Sequence, residues 1–296
     1  MCRFVVYKGP SILLSKLIAT PEHSLIKQSY QATSWSGPLN GDGVGIGWYN
    51  QKITPAPALF KDVAPAWGNK NLLQLSSVIE SNLAFAHVRA ATGKTSISQD
   101  NCHPFSHGNY LWMHNGEVQN FNEVKRVLFS LVDDRFFNWV QGTTDSELVF
   151  YVLLSQVFKN NRPLDEKISI EEWKKQFKDL FHTLDKVTKD SGAVKPSHYN
   201  FVLSDGVNLF VTRYIGGVDR ELTSEDRDMT LYYSYLDKQS VEHKADAIQS
   251  KDEHSGAPVM FASEQLTTDK DHWVEVPRNG LMIINEKNIL EINQLS

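Results

Sequence analysis

Hydrophobic positions along the chain fall into blocks of strand-like, helix-like and again strand-like pattern. Residues 3–7, 43–49, 83–89 and 110–114 are short runs rich in β-branched and aromatic side chains and read as strands. The first run ends at Gly9-Pro10, which reads as a turn. Helices follow. In TDSELVFYVLLSQVF, Thr144 and Glu147 have the spacing of a capping box ahead of an apolar run. Trp173, Phe177, Leu180, Phe181, Leu184 and Val187 then recur at helical spacing on one face. Strands return in HYNFVLSDGVNLFVTRY, two runs joined at the hairpin signal Ser204-Asp205-Gly206, and in runs at 229–236, 258–262, 272–276 and 280–285. Segregated blocks of this kind predict an α+β fold, antiparallel sheets with helices packed outside. There is no internal repeat. The polar stretch 239–256 reads as a mobile loop within one domain, because strand patterning continues on both sides of it.

Composition narrows the function classes. A chain of 296 residues with 41% hydrophobic content can bury a sizeable core. A net charge of −5 gives no electrostatic reason to expect nucleic acid or an anionic membrane as partner. No basic-then-apolar leader precedes Cys2, and the apolar stretch 149–158 is too short to span a bilayer, so the expected compartment is the cytoplasm. Cys2 and Cys102 are too few for a disulfide framework and should be free thiols there. Gly41, Gly43, Gly45 and Gly47 are spaced two apart and would share one strand face, to which another backbone or a ligand could come close. A dinucleotide loop is excluded, since the third glycine of its pattern would fall on Ile46 and a strand follows. Tight sheet packing and the shaping of a site remain open readings of that face.

The densest polar cluster lies in residues 84–118. Arg89, at the end of an apolar strand, offers a planar fork suited to a carboxylate. Asn115 and Gly116 offer a side-chain amide and an unobstructed backbone N–H, the donors used to hold an oxyanion. Asn-Gly is also an ordinary turn dipeptide, and composition alone favours the turn. Cys102, His103, His107, His114 and His87 are residue types that zinc takes, but the spacing contains neither C-x2-C nor H-x3-H, so no metal site is expected. Asp145 reads either as an acid favoured by a helix start or as a carboxylate awaiting an ammonium group.

The motifs MCR, DGVGIGWY, AHVRAAT, NCHPF, MHNGEV and TTDSE, in that order, resemble those of the class II glutamine amidotransferases of the N-terminal nucleophile hydrolase superfamily. SDGVNLFVTRY and ASEQLTTDKDHWVEVPRNGL resemble the later part of standalone members, the type of the glutaminase-like subunit of the glutathione-degrading complex and the γ-glutamyl amidase of ergothioneine synthesis. The resemblance implies a four-layer αββα sandwich, no cofactor, and thiol-dependent hydrolysis of a γ-glutamyl amide in glutamine or a γ-glutamyl peptide. Cys2, exposed by loss of Met1, would be the nucleophile and its α-amine the base. Arg89 would bind the α-carboxylate and Asp145 the α-ammonium of the small-molecule substrate. Asn115 and the Gly116 N–H would form the oxyanion hole, and Thr92 would line the glutamyl pocket. One departure stands out: synthase-fused relatives have Trp after the arginine and His-Gly after the threonine, whereas Thr92 here precedes Gly93-Lys94, so the loop closing over substrate differs. With the chain occupied by one domain, a separate protein would supply any acceptor or peptidase activity. A catalytically silent regulatory subunit is the alternative, disfavoured because Cys2, Arg89, Asn115, Gly116 and Asp145 are all competent residues.

Overall fold

A computed structural model describes residues 2–31, 39–91, 96–223, 229–236, 256–268 and 272–295. Met1, Thr92 and nearly all of the polar stretch 239–256 lie outside the described residues. Two seven-stranded sheets, antiparallel at every pairing, stack face to face. The first runs β12 (Val274–Glu275), β10 (Tyr232–Tyr235), β11 (Val259–Ala262), β1 (Arg3–Leu13), β4 (Glu80–Val88), β2 (Val44–Asn50) and β3 (Thr54–Asp62). The second runs β14 (Leu290–Gln294), β13 (Gly280–Ile284), β8 (Leu209–Arg213), β7 (Ser197–Ser204), β6 (Tyr110–Glu117) and β5 (Phe105–His107), with β9 (Ile215–Gly216) paired to β7.

Side-chain alternation along each strand creates the layers. On β1, Phe4 and Val6 point between the sheets, where they meet Phe85, Met113, Val202 and Met282. Val5 and Tyr7 point outward to α1 (Ser15–Ile18), α2 (Leu25–Tyr30) and α3 (Lys70–Ser76). Trp112, Phe201, Phe210 and Ile283 cover the outer face of the second sheet against α4 (Phe121–Ser130), α5 (Asp134–Phe137), α6 (Asp145–Val157) and α7 (Ile170–Asp190). The result is the four-layer αββα sandwich. On α7, Trp173, Phe177, Leu180, Phe181 and Leu184 are buried as the periodicity predicts.

Three local expectations are corrected. Gly9-Pro10 does not end the first strand: β1 runs through to Leu13, with a register shift against β4 between Lys8 and Ile12, so the pair forms a bulge in a continuous strand. The capping box at α6 is half made. Thr144 accepts the Glu147 N–H at 3.3 Å, but the Glu147 carboxylate turns instead to the backbone N–H groups of Gln141 and Gly142, at 3.1 and 2.6 Å. Asn115-Gly116 is not a turn. Both residues lie inside β6, where they face Asn200 and Tyr199 of β7.

The glycine-rich face is resolved in favour of packing. A Cβ on Gly45 would collide with the carbonyl oxygen of His103, and one on Gly47 would meet Pro104 at 2.8 Å and Leu111 at 2.9 Å. Gly43, at φ +132°, has the Cys102 sulfur against it. The approaching backbone is therefore the 102–104 segment. Gly41 precedes β2 and packs on Trp67 instead of sharing that face.

Candidate active site

Register and alternation bring the chemistry to one end of the space between the sheets. Arg3 lies opposite Val88 and Phe4 opposite His87, so Cys2 falls beside the residues that follow β4. Its thiol lies 3.6 Å from the Ala90 carbonyl oxygen. Cys2 shares the parity of Phe4 and Val6, Arg89 that of Phe85 and His87, and Asn115 that of Leu111 and Met113. All three therefore belong to the inter-sheet face. Burial raises the Cys2 thiol pKa above its ordinary range; the Ala90 backbone and the Arg89 guanidinium pull it down, while the Asp145 carboxylate pushes it up. Arg89 and Asp145 are thus both close enough to act electrostatically on Cys2.

Arg89 is buried, and its Nη1 donates to the Ser96 carbonyl at 3.3 Å and, more weakly, to the Asp42 carbonyl at 3.5 Å. The same Asp42 holds the segment around Arg89 by three further bonds or near neighbours: its N–H donates to the Arg89 carbonyl, its Oδ2 accepts the Ala91 N–H at 2.7 Å, and the adjacent Gly43 carbonyl accepts the Arg89 N–H at 2.8 Å. Asp42 was not singled out in the sequence, although it sits in the quoted DGVGIGWY motif.

Asp145 is the first residue of α6 and is half-buried. Its Oδ2 accepts the Val118 N–H at 2.8 Å and its Oδ1 the Ser146 N–H at 2.7 Å, so it fastens the segment after β6 to the helix start. The Ser146 hydroxyl lies 3.1 Å from Asp145 Oδ1 and 3.0 Å from His114 Nδ1. His114 Nε2 sits 3.0 Å from the His198 carbonyl, which can only accept, so Nε2 carries the proton. Burial lowers the His114 pKa, and the neutral ring then presents Nδ1 as acceptor to the Ser146 hydroxyl. Gly116 has no room for a side chain: a Cβ there would collide with the His198 carbonyl.

The other histidines of segment 84–118 are used in packing. His87 and His103 stack at 4.1 Å between centroids, and His107 packs edge-on against Phe136 and Trp139. Among the described residues, no group of three or more His, Cys, Asp or Glu is arranged to hold a metal ion. Nor is any described helix long and apolar enough to cross a membrane.

Ser263, just beyond β11, is, like Asp42, a residue the sequence reading passed over. Its Oγ accepts the Phe4 N–H at 3.1 Å and the Asn115 Nδ2 at 3.1 Å, joining the strand of Cys2 to the amide on the other sheet. Next to it, the buried Glu264 carboxylate meets Arg3 Nε at 2.6 Å.

Two stacked antiparallel sheets between helices thus bring the partly buried Cys2 thiol, the buried Arg89 guanidinium and the buried Asn115 amide to one end of the inter-sheet space. Residues 14–296 match the class II glutamine amidotransferases, a span that begins downstream of Cys2. The probable glutamine amidotransferase DUG3 of Saccharomyces cerevisiae is 33% identical over 311 residues, covering 98% of this chain and 83% of that protein. The gamma-glutamyl-hercynylcysteine sulfoxide hydrolase of Mycobacterium tuberculosis is 32% identical over 119 residues, 40% of this chain and 50% of that protein. A glutamine aminotransferase class-II domain protein from Silicibacter pomeroyi shares the fold, with a TM-score of 0.67 at 22% identity over 99% of this chain and 98% of that one. The chain belongs to the class II glutamine amidotransferase family and is an enzyme of that family.

Proposed function

We propose that the protein hydrolyses the γ-glutamyl amide bond of a small molecule, glutamine or a γ-glutamyl peptide, through a glutamyl thioester on Cys2. Removal of Met1 gives Cys2 a free α-amine with a pKa near 8, able to take the proton of a thiol that burial keeps protonated. Among the described residues no imidazole hydrogen-bonds the sulfur, and the α-amine supplies the base a histidine would otherwise provide. The thiolate attacks the γ-carbonyl, and the resulting oxyanion is held by Asn115 Nδ2 and the Gly116 N–H. The C–N bond then breaks, the amine or ammonia leaving with the proton from the α-amine, and water cleaves the thioester. Arg89 and Asp145 grip the α-carboxylate and α-ammonium, and Thr92, which lies outside the described residues, is the family's pocket-lining position. The cytoplasm is the proposed compartment, and a separate protein would supply any acceptor or peptidase activity. The curated relatives, one named an amidotransferase and another a γ-glutamyl hydrolase, support this reaction class.

The observation that carries the reading is the convergence at the start of β1: Cys2 lies against Ala90 beside Arg89, while Ser263 ties Phe4 to Asn115. The test compares kcat/KM for glutamine, glutathione and other γ-glutamyl amides, with Cys2→Ala as control and intact mass measured on the active protein. Turnover that persists in Cys2→Ala, or full activity with Met1 retained, refutes the mechanism.

A further inference from the structure

Asn115 is buried, and its two terminal atoms are treated unequally. Nδ2 donates to Ser263 Oγ at 3.1 Å, whereas Oδ1 finds no donor among the described residues. Ser263 Oγ in turn receives two donors, Asn115 Nδ2 and the Phe4 N–H, while its own proton has no acceptor among the described residues. A buried acceptor without a donor thus sits next to a hydroxyl proton without an acceptor. Both are costly. A carboxamide keeps its shape when turned over about its terminal bond, and the surrounding hydrogen bonds choose between the two orientations. Turned over, Asn115 Oδ1 accepts the Ser263 O–H, Ser263 still accepts the Phe4 N–H, and both defects disappear. Nδ2 then points where Oδ1 pointed, away from Ser263.

We propose that Ser263 is a positioning residue for the reaction, its hydroxyl donating to Asn115 Oδ1 so that Nδ2 is committed to the oxyanion. The inference rests on the proposed oxyanion role of Asn115. An amide presenting Oδ1 to a developing negative charge would repel it, so the orientation decides whether Asn115 helps or harms. Ser263 is well placed to enforce the choice because its own backbone is fixed. Its N–H donates to the Phe4 carbonyl at 3.1 Å, and its carbonyl accepts the Thr230 hydroxyl at 2.8 Å. The neighbouring ion pair of Glu264 with Arg3 anchors the same short segment to β1.

The test is a double-mutant cycle on the full chain with its best γ-glutamyl substrate. Asn115→Ala should lower kcat about 10²- to 10³-fold, as loss of one oxyanion donor does. Ser263→Ala should lower kcat about 10- to 100-fold, a part of that effect, with KM changed less than about 3-fold. Ser263→Thr, which keeps the hydroxyl, should recover most of the loss. In the Asn115→Ala background, Ser263→Ala should change kcat less than about 3-fold, because the residue through which it acts is gone. An equal loss with and without Asn115 would overturn the inference, placing the effect of Ser263 on Phe4 and the strand of Cys2. A rise in KM at constant kcat would overturn it too. Should Ser263→Ala not fold, the cycle is run with Ser263→Cys, whose S–H is a weak donor. Undiminished kcat in Asn115→Ala would instead refute the oxyanion reading itself, whatever Ser263 does.

Discussion

Replacing Asp145 by Asn separates the structural job of its carboxylate from its proposed binding of the substrate ammonium. In the protein alone, its oxygens accept the Val118 and Ser146 N–H groups at 2.8 and 2.7 Å. An amide keeps one oxygen, so its NH2 must face one of those N–H groups, donor against donor. Leaving one such group unsatisfied costs about 1–3 kcal/mol. Removing a negative charge from the first turn of α6 adds about 0.3–1 kcal/mol. Asp145→Asn should therefore lower stability by roughly 1–4 kcal/mol, read as a lower urea midpoint. Catalysis suffers separately. Truncating one partner of a desolvated charge pair costs about 2–5 kcal/mol, which is about 30- to 5,000-fold in kcat/KM. The assay compares glutamine with its analogue lacking the α-amino group, at a temperature where wild type and mutant are both folded. Wild type should strongly prefer glutamine, and the mutant should lose most of that preference, since the des-amino substrate has no ammonium to leave unpaired. Equal losses for the two substrates would refute the ammonium role, leaving Asp145 only as the clasp between Val118 and α6.

Arg89→Lys keeps the charge but not the fork that donates to the Ser96 carbonyl, and kcat/KM should fall at least about 10-fold; an unchanged value would remove Arg89 from carboxylate binding. Gly45→Ala should destabilise by about 1–3 kcal/mol, because its Cβ meets the His103 backbone and not a movable side chain, and an unchanged melting temperature would contradict the packing described. Glu264→Gln should cost about 3–5 kcal/mol in chemical denaturation by leaving the buried Arg3 charge poorly matched, more than loss of an exposed pair such as Lys175 with Asp179. Burial holds the His87 pKa down at about 3 and that of His103 well below its usual 6.5. Unfolded imidazoles therefore take up protons first as pH falls. The stability these two groups provide is complete above about pH 6.5 and declines below it, by at most about 1.4 kcal/mol per pH unit for each histidine. Urea midpoints that do not drop between about pH 7 and 5.5 would contradict their burial in neutral form.

Much of the scaffold was legible because period and burial agree. The strands that flank Cys2 and Arg89 and the one that carries Asn115 were visible as apolar runs, and the Ser204-Asp205-Gly206 hairpin followed from its turn residues, Asp205 Oδ1 accepting the Val207 and Asn208 N–H groups. Edge strand β3 was missed because TPAPALFKD has no buried residue and carries Pro55 and Pro57, which an edge tolerates and a pattern search rejects. Helices α1 to α3 are too short for a helical period to register. Asn115-Gly116 looked like a turn because dipeptide composition ignores pairing, and only the β6–β7 register shows it as strand. Ser263 could not be found from spacing, since its partners Asn115 and Phe4 are 148 and 259 positions away.

The place of β1 in its sheet governs when the enzyme can come alive during synthesis. β1 is fourth of seven strands, with Val5 facing Ala86 on one side and Ala262 on the other. As the chain leaves the ribosome, β4 can pair with β1 early. The opposite side of β1 stays an open edge until β11 emerges, and Ser263 and Glu264 arrive only with it. A nascent chain stopped before residue 263 would carry the thiol of Cys2 and the guanidinium of Arg89 without the clasp to Asn115. Pairing across such a sequence distance is slow, and an unpaired central edge invites association with other chains. The topology therefore leaves the surroundings of Cys2 incomplete through most of translation and, in the same interval, leaves the central edge of the nascent sheet open to association.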